Sequence, residues 1–268
     1  MQKLPVFRTF GNMLDSVIEN LSTALALSWP WLLVLFPIRL AGDFYHYWLE
    51  LGRQHPTGTT AAYNEADFIV GLLSAIVFAS IAVNWHRYIL RSEVAEGAQR
   101  LRLDALVWRY FFFGIIIGLL VALVMFGGIF AVTLVSLAFA AASKTLAIVL
   151  ASLLSLPLFL LLIGASARWS VKLVAIALGD KDYSLSDAWR ATAGNTWRLA
   201  GLELMFFIAI GMVGLLTVGA GYGSSLFNSS LTAAVVAAVT VLVGWFSTLM
   251  GITMLTSVYS FFVEKRVF

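Results

Sequence analysis

The sequence predicts an all-α polytopic membrane protein, with six transmembrane helices set out as three repeats of an interfacial amphipathic helix plus a transmembrane hairpin. Three observations predict it. Of 268 residues, 61% are apolar and only 12% are charged, about half the charge that a soluble protein of this length carries on its surface. Six continuously apolar stretches are long enough to cross ~30 Å of hydrocarbon as helices of about 20 residues. Basic residues, finally, gather in alternate loops between those stretches. The chain contains no cysteine, which excludes disulfide scaffolds, zinc–thiolate sites, iron–sulfur clusters and thiol catalysis together.

The elements follow in order. Val6, Phe7, Phe10, Leu14, Val17, Ile18 and Leu21 recur at three- and four-residue spacing, with Arg8, Asn12, Asp15, Ser16 and Glu19 opposite. That pattern predicts an amphipathic helix lying in the membrane surface, its polar face turned to the cytosol. The first span covers Leu21–Ala41. Lys3 and Arg8 before an apolar run also suit a signal peptide. The run is too long for one, however, and Trp29-Pro30-Trp31 stands where a small-residue cleavage site belongs, so a retained helix is expected. An outer loop with His46 and His55 leads to the second span, Phe68–Val83, extendable through Trp85 to Leu90. Leu103, Leu106, Val107 and Tyr110 predict a shorter surface helix before the third span, Tyr110–Leu137, and the fourth span covers Thr145–Ala167. Leu185, Ala188, Trp189, Thr192 and Leu199 predict a third surface helix, opened by Ser184 and Asp187 at capping-box spacing. The fifth and sixth spans are Ala200–Tyr222 and Leu231–Val263. Alternating two-faced strands of a membrane barrel do not occur.

Orientation follows from Lys and Arg. Lys3 and Arg8 precede the first span; Arg87, Arg91, Arg100, Arg102 and Arg109 lie between the second and third; Arg168, Lys172, Lys181, Arg190 and Arg198 lie between the fourth and fifth; Lys265 and Arg266 end the chain. Of 17 Lys and Arg residues, only Arg39, Arg53 and Lys144 fall on the other side, against Asp43, Glu50, Glu65 and Asp67. The positive-inside rule then places both termini in the cytoplasm, as an even number of spans also requires. No loop is long enough to fold alone. A single membrane domain over residues 1–268 is expected, with repeats at 1–92, 93–181 and 182–268.

The even spans end alike, in Val83-Asn84-Trp85-His86-Arg87-Tyr88, Ala167-Arg168-Trp169-Ser170-Val171-Lys172 and Ser257-Val258-Tyr259-Ser260-Phe261-Phe262. The first of these with Glu93, the Trp-Pro-Trp of span one, and Ser184-Leu185 to Ala188-Trp189 resemble a broad group of uncharacterised six-span inner-membrane proteins of proteobacteria. That group is similar in layout to the YciC-like proteins and to the membrane domain attached to some glycerophosphodiesterases. The resemblance implies a bacterial inner-membrane location and brings no catalytic residue with it.

Candidate chemistry concentrates on the basic side. Trp85 with Arg87, Trp108 with Arg109, Trp169 with Arg168, Trp189 with Arg190 and Trp197 with Arg198 pair an indole with a guanidinium. An indole prefers the headgroup level, and a guanidinium beside it can clamp a phosphate. An anionic headgroup or partner site of Trp85, His86, Arg87, Arg109, Arg168, Trp169, Arg190, Arg198 and Glu203 is one expectation; an ordinary aromatic belt over the positive-inside bias, or a protein-docking surface, are the others. His86 is the only histidine on that side, so no haem pair or metal-ligand spacing exists and neither metal nor cofactor is expected. No nucleophile motif or phosphate loop appears either. Arg39 and Glu203 sit near span ends, where they can snorkel or pair, and proton- or ion-coupled transport usually shows more charge inside its spans. Thr253, Thr256, Ser257 and Ser260 line one face of span six, for helix packing or as a polar cavity lining near Glu203. Gly114 with Gly118, Gly127 with Gly128, and Gly211 with Gly214 allow close helix approach, and Pro157 should bend span four.

These features favour a non-enzymatic lipid-associated scaffold or an accessory subunit of a larger membrane complex. Its expected partners are membrane lipids, anionic ones above all, and other membrane subunits, with no nucleic acid. A transporter or lipid carrier with a cavity between the three hairpins is the alternative, and a membrane-embedded enzyme comes third. The orientation is testable in this cysteine-free chain. An impermeant maleimide applied to intact cells is expected to modify Gln54→Cys and to spare Gln99→Cys; the reverse pattern would overturn the orientation.

Overall fold

The structure, a computed structural model, describes residues 2–52, 59–140, 143–225 and 230–266. Arg53 and His55 lie outside the described residues, as do the side chains of Arg39, Asp43, His46, Glu50, Glu65 and Asp67. Eight α-helices follow one another: α1 (Val6–Glu19), α2 (Leu21–Gly52), α3 (Thr59–Arg91), α4 (Ala105–Ala140), α5 (Lys144–Ala177), α6 (Leu185–Ala191), α7 (Thr196–Ser225) and α8 (Ser230–Phe262), with a 3-10 turn at Gly97–Leu101. No strand occurs among the described residues. Six of the helices, α2, α3, α4, α5, α7 and α8, are long and apolar enough to cross a membrane, and they carry the six apolar runs in order.

The helices outlast those runs. Most of the loop expected after Ala41 is helix, because α2 continues to Gly52 and α3 begins at Thr59. Extending a formed helix gains one hydrogen bond per residue fixed, so it runs on until something interrupts it, and residues 43–51 contain neither proline nor glycine. Inside the apolar part, α2 passes through Pro30 and Pro37 and α5 through Pro157.

Two of the three expected surface helices form as separate elements, α1 and α6. The middle one does not. Leu106, Val107 and Tyr110 belong to the first turns of α4, which runs unbroken into the span. The cause is local: the Asp104 carboxylate accepts the backbone N–H groups of Leu106 and Val107 at 3.0 and 3.3 Å, starting the helix there, and no breaker follows. In α1, Thr9, Met13 and Val17 form a buried line at spacing four, while Asp15 and Glu19 are exposed. Phe7 and Ile18 also stay exposed, on the apolar face that the protein leaves uncovered. Asn12, expected toward the cytosol, instead donates from Nδ2 to the Ser257 hydroxyl of α8 at 3.3 Å.

The even spans stop alike in the backbone too. Ser92, Gly179 and Lys265, just beyond α3, α5 and α8, all adopt left-handed φ angles of 54°, 87° and 56°. At Gly179 the end is a Schellman turn, with Asp180 N–H on the Ala175 carbonyl at 3.0 Å and Gly179 N–H on Ile176 at 2.9 Å, a geometry in which glycine alone carries no Cβ penalty.

By packing, the chain forms two compact units: one of Met1–Met13, Phe112–Phe207 and Met254–Phe268, the other of Leu14–Phe111 and Ile208–Thr253. In the first, α5 is buried almost continuously from Gly164 to Leu178, while α4 from Leu119 to Phe139 and α5 from Leu146 to Leu161 expose many large apolar side chains. In the second, α3 is buried from Ala79 to His86 and packs on α2. Exposed Leu and Phe in such numbers are what lipid-facing walls consist of.

The expected glycine contacts need correction. Among the described residues, a Cβ added at Gly114, Gly118, Gly127, Gly211 or Gly214 would meet nothing within 4 Å, whereas at Gly128 it would meet the Leu158 side chain. The tightest crossing is at Gly164, where a Cβ would lie 2.5 Å from the Thr196 carbonyl oxygen and 3.2 Å from Ala200 Cβ. Small-residue spacing permits close approach but does not say which face meets a neighbour. Gly164→Ala is therefore expected to destabilise the protein by ~1–3 kcal/mol, because a helix backbone cannot yield as a side chain can, and Gly114→Ala is expected to cost nothing. Thermal unfolding in mild detergent measures both, and equal midpoints would refute the Gly164 crossing.

Candidate functional site

In the second unit the site is built on one turn of α3. Five successive side chains there, Asn84 to Tyr88, each reach a different element. The Asn84 amide donates to the Gln99 and Arg100 carbonyls of the 3-10 turn at 3.2 and 3.3 Å. The Trp85 indole is fully buried, and its N–H donates to the Thr253 hydroxyl of α8 at 2.8 Å. His86, equally buried, shares a 3.3 Å hydrogen bond with the Tyr110 hydroxyl of α4. Arg87 donates from Nε to Glu93 at 2.8 Å, just past the helix end. Tyr88 donates at 2.6 Å to Asn20, the hinge between α1 and α2, whose amide closes the end of α1 on the Ser16 carbonyl. Above them, the Trp31 indole of α2 donates to the Ser80 hydroxyl at 3.0 Å and to the Arg100 carbonyl at 3.1 Å. A helix places consecutive residues about 100° apart, which is how one short stretch points at so many neighbours.

In the first unit the focus is Arg168, only 6% exposed. A guanidinium removed from water must recover its hydrogen bonds or the fold bears the loss. Arg168 recovers them from neutral groups: Nε donates to Thr192 Oγ1 at 2.9 Å, Nη1 to Thr196 Oγ1 at 3.1 Å and Nη2 to the Trp189 carbonyl. Its guanidinium also lies 3.4 Å from the Trp189 ring centroid, within cation–π range, and that ring stacks on Trp169 at 5.6 Å. One turn on, the buried Lys172 donates to the Tyr183 carbonyl and faces the Phe113 ring at 5.0 Å.

The Trp189 partner is supplied by α6, and α6 is held by its cap. Asp187 N–H donates to Ser184 Oγ at 3.1 Å, while Ser184 N–H and hydroxyl donate back to the Asp187 carboxylate at 2.9 and 2.6 Å. These bonds hold the Asp187 carboxyl below the usual carboxylate range, the Ser184 hydroxyl more than its N–H. A depressed acid stabilises the fold above its unfolded pKa and loses that contribution as pH falls through the folded value. Burial, with the charges of Tyr259, Asp187 and Asp180, pushes the Tyr183 phenol up.

Of the expected site residues, Arg168 and Trp169 therefore come together in the first unit, joined by Trp189 of α6. Arg190, exposed on the same helix, pairs with Asp187 at 3.1 Å. Arg198, at the start of α7, donates to the Leu4 carbonyl at 2.9 Å. Glu203 is half-buried one turn beyond Ala200. In the second unit Trp85, His86 and Arg87 point to three separate partners, and Arg109 is exposed. On α8 the hydroxyls serve packing: Thr253 donates to Leu249, Ser257 accepts from Asn12 and Ser260 donates to Ser257. The sequence pattern places Asn84 in a span-end motif and Tyr110 and Thr192 in surface helices, without marking any of them as a site residue, and it does not single out Asn195. A signal existed for Asn195 alone, an asparagine directly before a helix start. Among the described residues no group of three His, Asp or Glu stands in a metal-binding arrangement.

No family profile, curated protein or solved structure matches the chain.

Trp85 and Trp197 distinguish a staple from a belt. Trp85→Phe is expected to lower stability by ~1–2 kcal/mol, since it removes a buried indole–hydroxyl bond. Trp197→Phe, at a position 58% exposed, is expected to leave the thermal midpoint in detergent unchanged. Equal effects would mean that the two indoles do the same work.

Proposed function

We propose that this chain is a non-enzymatic integral protein of the bacterial inner membrane, a lipid-associated scaffold or accessory subunit of a larger membrane complex, with both termini in the cytoplasm. One observation carries the reading. The side chains best suited to chemistry, Trp85, His86, Arg87 and Arg168, are held by neighbouring helices and turns, while broad apolar faces on α4 and α5 are left uncovered. Such a molecule commits its polar groups to its own rigidity and offers hydrocarbon surface to lipid or to other membrane helices. The resemblance of the sequence layout to that of six-span proteobacterial proteins supports the inner-membrane location, and the alternation of basic loops supports the orientation.

Purification in mild detergent, with mass spectrometry of the co-purifying proteins and lipids, tests it. A stoichiometric membrane subunit retained with anionic lipid is the expected result. A monodisperse protein without partners that moves a solute or lipid saturably in proteoliposomes would replace this reading with a carrier.

A further inference from the structure

The N-terminal residues are clasped by the turn that precedes α7. Leu4 N–H donates to Asn195 Oδ1 at 2.9 Å, and Asn195 Nδ2 donates back to the Gln2 carbonyl at 3.0 Å. Arg198 Nη1 donates to the Leu4 carbonyl at 2.9 Å, Lys3 Nζ donates to the Gly194 carbonyl at 3.1 Å, and the Leu4 side chain and Asn195 are buried. Two exposed cations, Lys3 and Arg198, are thus both tied into one short clasp, Lys3 from the N-terminal segment to Gly194 and Arg198 from α7 to Leu4. Each is held by a neutral carbonyl, and neither has a carboxylate partner among the described residues. A lysine has three donors and an arginine five, so most of their hydrogen-bonding capacity remains open. Trp197, next to Arg198, is 58% exposed in the first turn of a membrane-spanning helix, the depth at which an indole prefers the headgroup layer. Phe7, 81% exposed, lies in the first turn of α1.

We propose that Lys3, Trp197 and Arg198 form a binding site for the phosphate of an anionic phospholipid in the cytoplasmic leaflet. The clasp holds both cations in place before a lipid arrives, which reduces the ordering that binding requires. The guanidinium takes the phosphate oxygens, the ammonium adds a point charge, and the indole lies against the glycerol and upper acyl chain. With two cations and no carboxylate paired to either among the described residues, the site disfavours a headgroup that carries its own ammonium. This inference rests on the lipid-associated reading above and narrows it to one place on the chain.

Native mass spectrometry of the full chain in detergent tests it, with phosphatidylglycerol, phosphatidylcholine or inorganic phosphate added to wild type, Lys3→Gln, Lys3→Gln/Arg198→Gln and Lys265→Gln. Phosphatidylglycerol is expected to be retained in preference to phosphatidylcholine. Its apparent affinity should fall about fivefold in Lys3→Gln and further in the double variant, with Lys265→Gln unchanged. Because Lys3→Gln keeps the Asn195 and Arg198 bonds to Leu4, its thermal midpoint should match wild type, so the test does not hang on the double variant folding. Equal loss in Lys265→Gln would mean diffuse attraction and overturn the site. Competition by inorganic phosphate would overturn the lipid as its ligand. If wild type retains no lipid at all, the broader lipid-associated reading falls as well, whereas lipid retained without sensitivity to Lys3 removes only the site.

Discussion

Inside a bilayer no water waits to satisfy a polar side chain, and much of this structure follows from how its buried polar groups find protein partners instead. Arg168 shows the constraint most clearly. Its guanidinium is buried with no carboxylate partner among the described residues and depends on two threonine hydroxyls, one carbonyl and an indole face. Those partners come from α6, from Thr192 just beyond it and from the first residue of α7, so the charge can stay buried only if the short helix, its cap and the following turn are all in place. A run of seven helical residues has little stability of its own; here it is fastened at one end by Ser184 and Asp187 and along its length by the arginine it serves.

The second unit meets the same constraint without a buried cation. Asn84, Trp85, His86 and Tyr88 are short-range connectors, each ending on a carbonyl, a hydroxyl or an amide of another element. Apolar packing between helices in lipid lacks the hydrophobic drive available in water, so directional bonds at their ends do more to select one arrangement. The uncovered flanks of α4 and α5 fit the same division: polar groups hold the helices at one end, and leucine and phenylalanine stay exposed along the rest.

The tryptophan and arginine pairs that look equivalent as dipeptides separate into two kinds. Trp85 and Arg168 are inside the protein, occupied by named partners. Trp197, with Arg198 and Lys3 beside it, remains on the surface, and Arg109 is exposed as well. The surface pairs are where lipid chemistry has room to act, which moves the functional emphasis from the α3 motif toward the clasp at the start of α7.

The sequence by itself determined the number and order of helices able to cross a membrane, the amphipathic helix at Val6–Glu19 and the cap at Ser184, because each of these depends on neighbouring residues: hydropathy summed over about 20 positions, a three-to-four periodicity, a fixed offset between hydroxyl and carboxylate. It misplaced the helix expected before span three and the close glycine crossings, and it treated five tryptophan–arginine pairs alike. Tertiary structure decided these. Whether Gly164 or Gly114 touches another backbone, and whether Trp85 or Trp197 is buried or exposed, depends on the direction each helix face takes once its neighbours are in place, and that direction is a property of the packing that no local spacing contains.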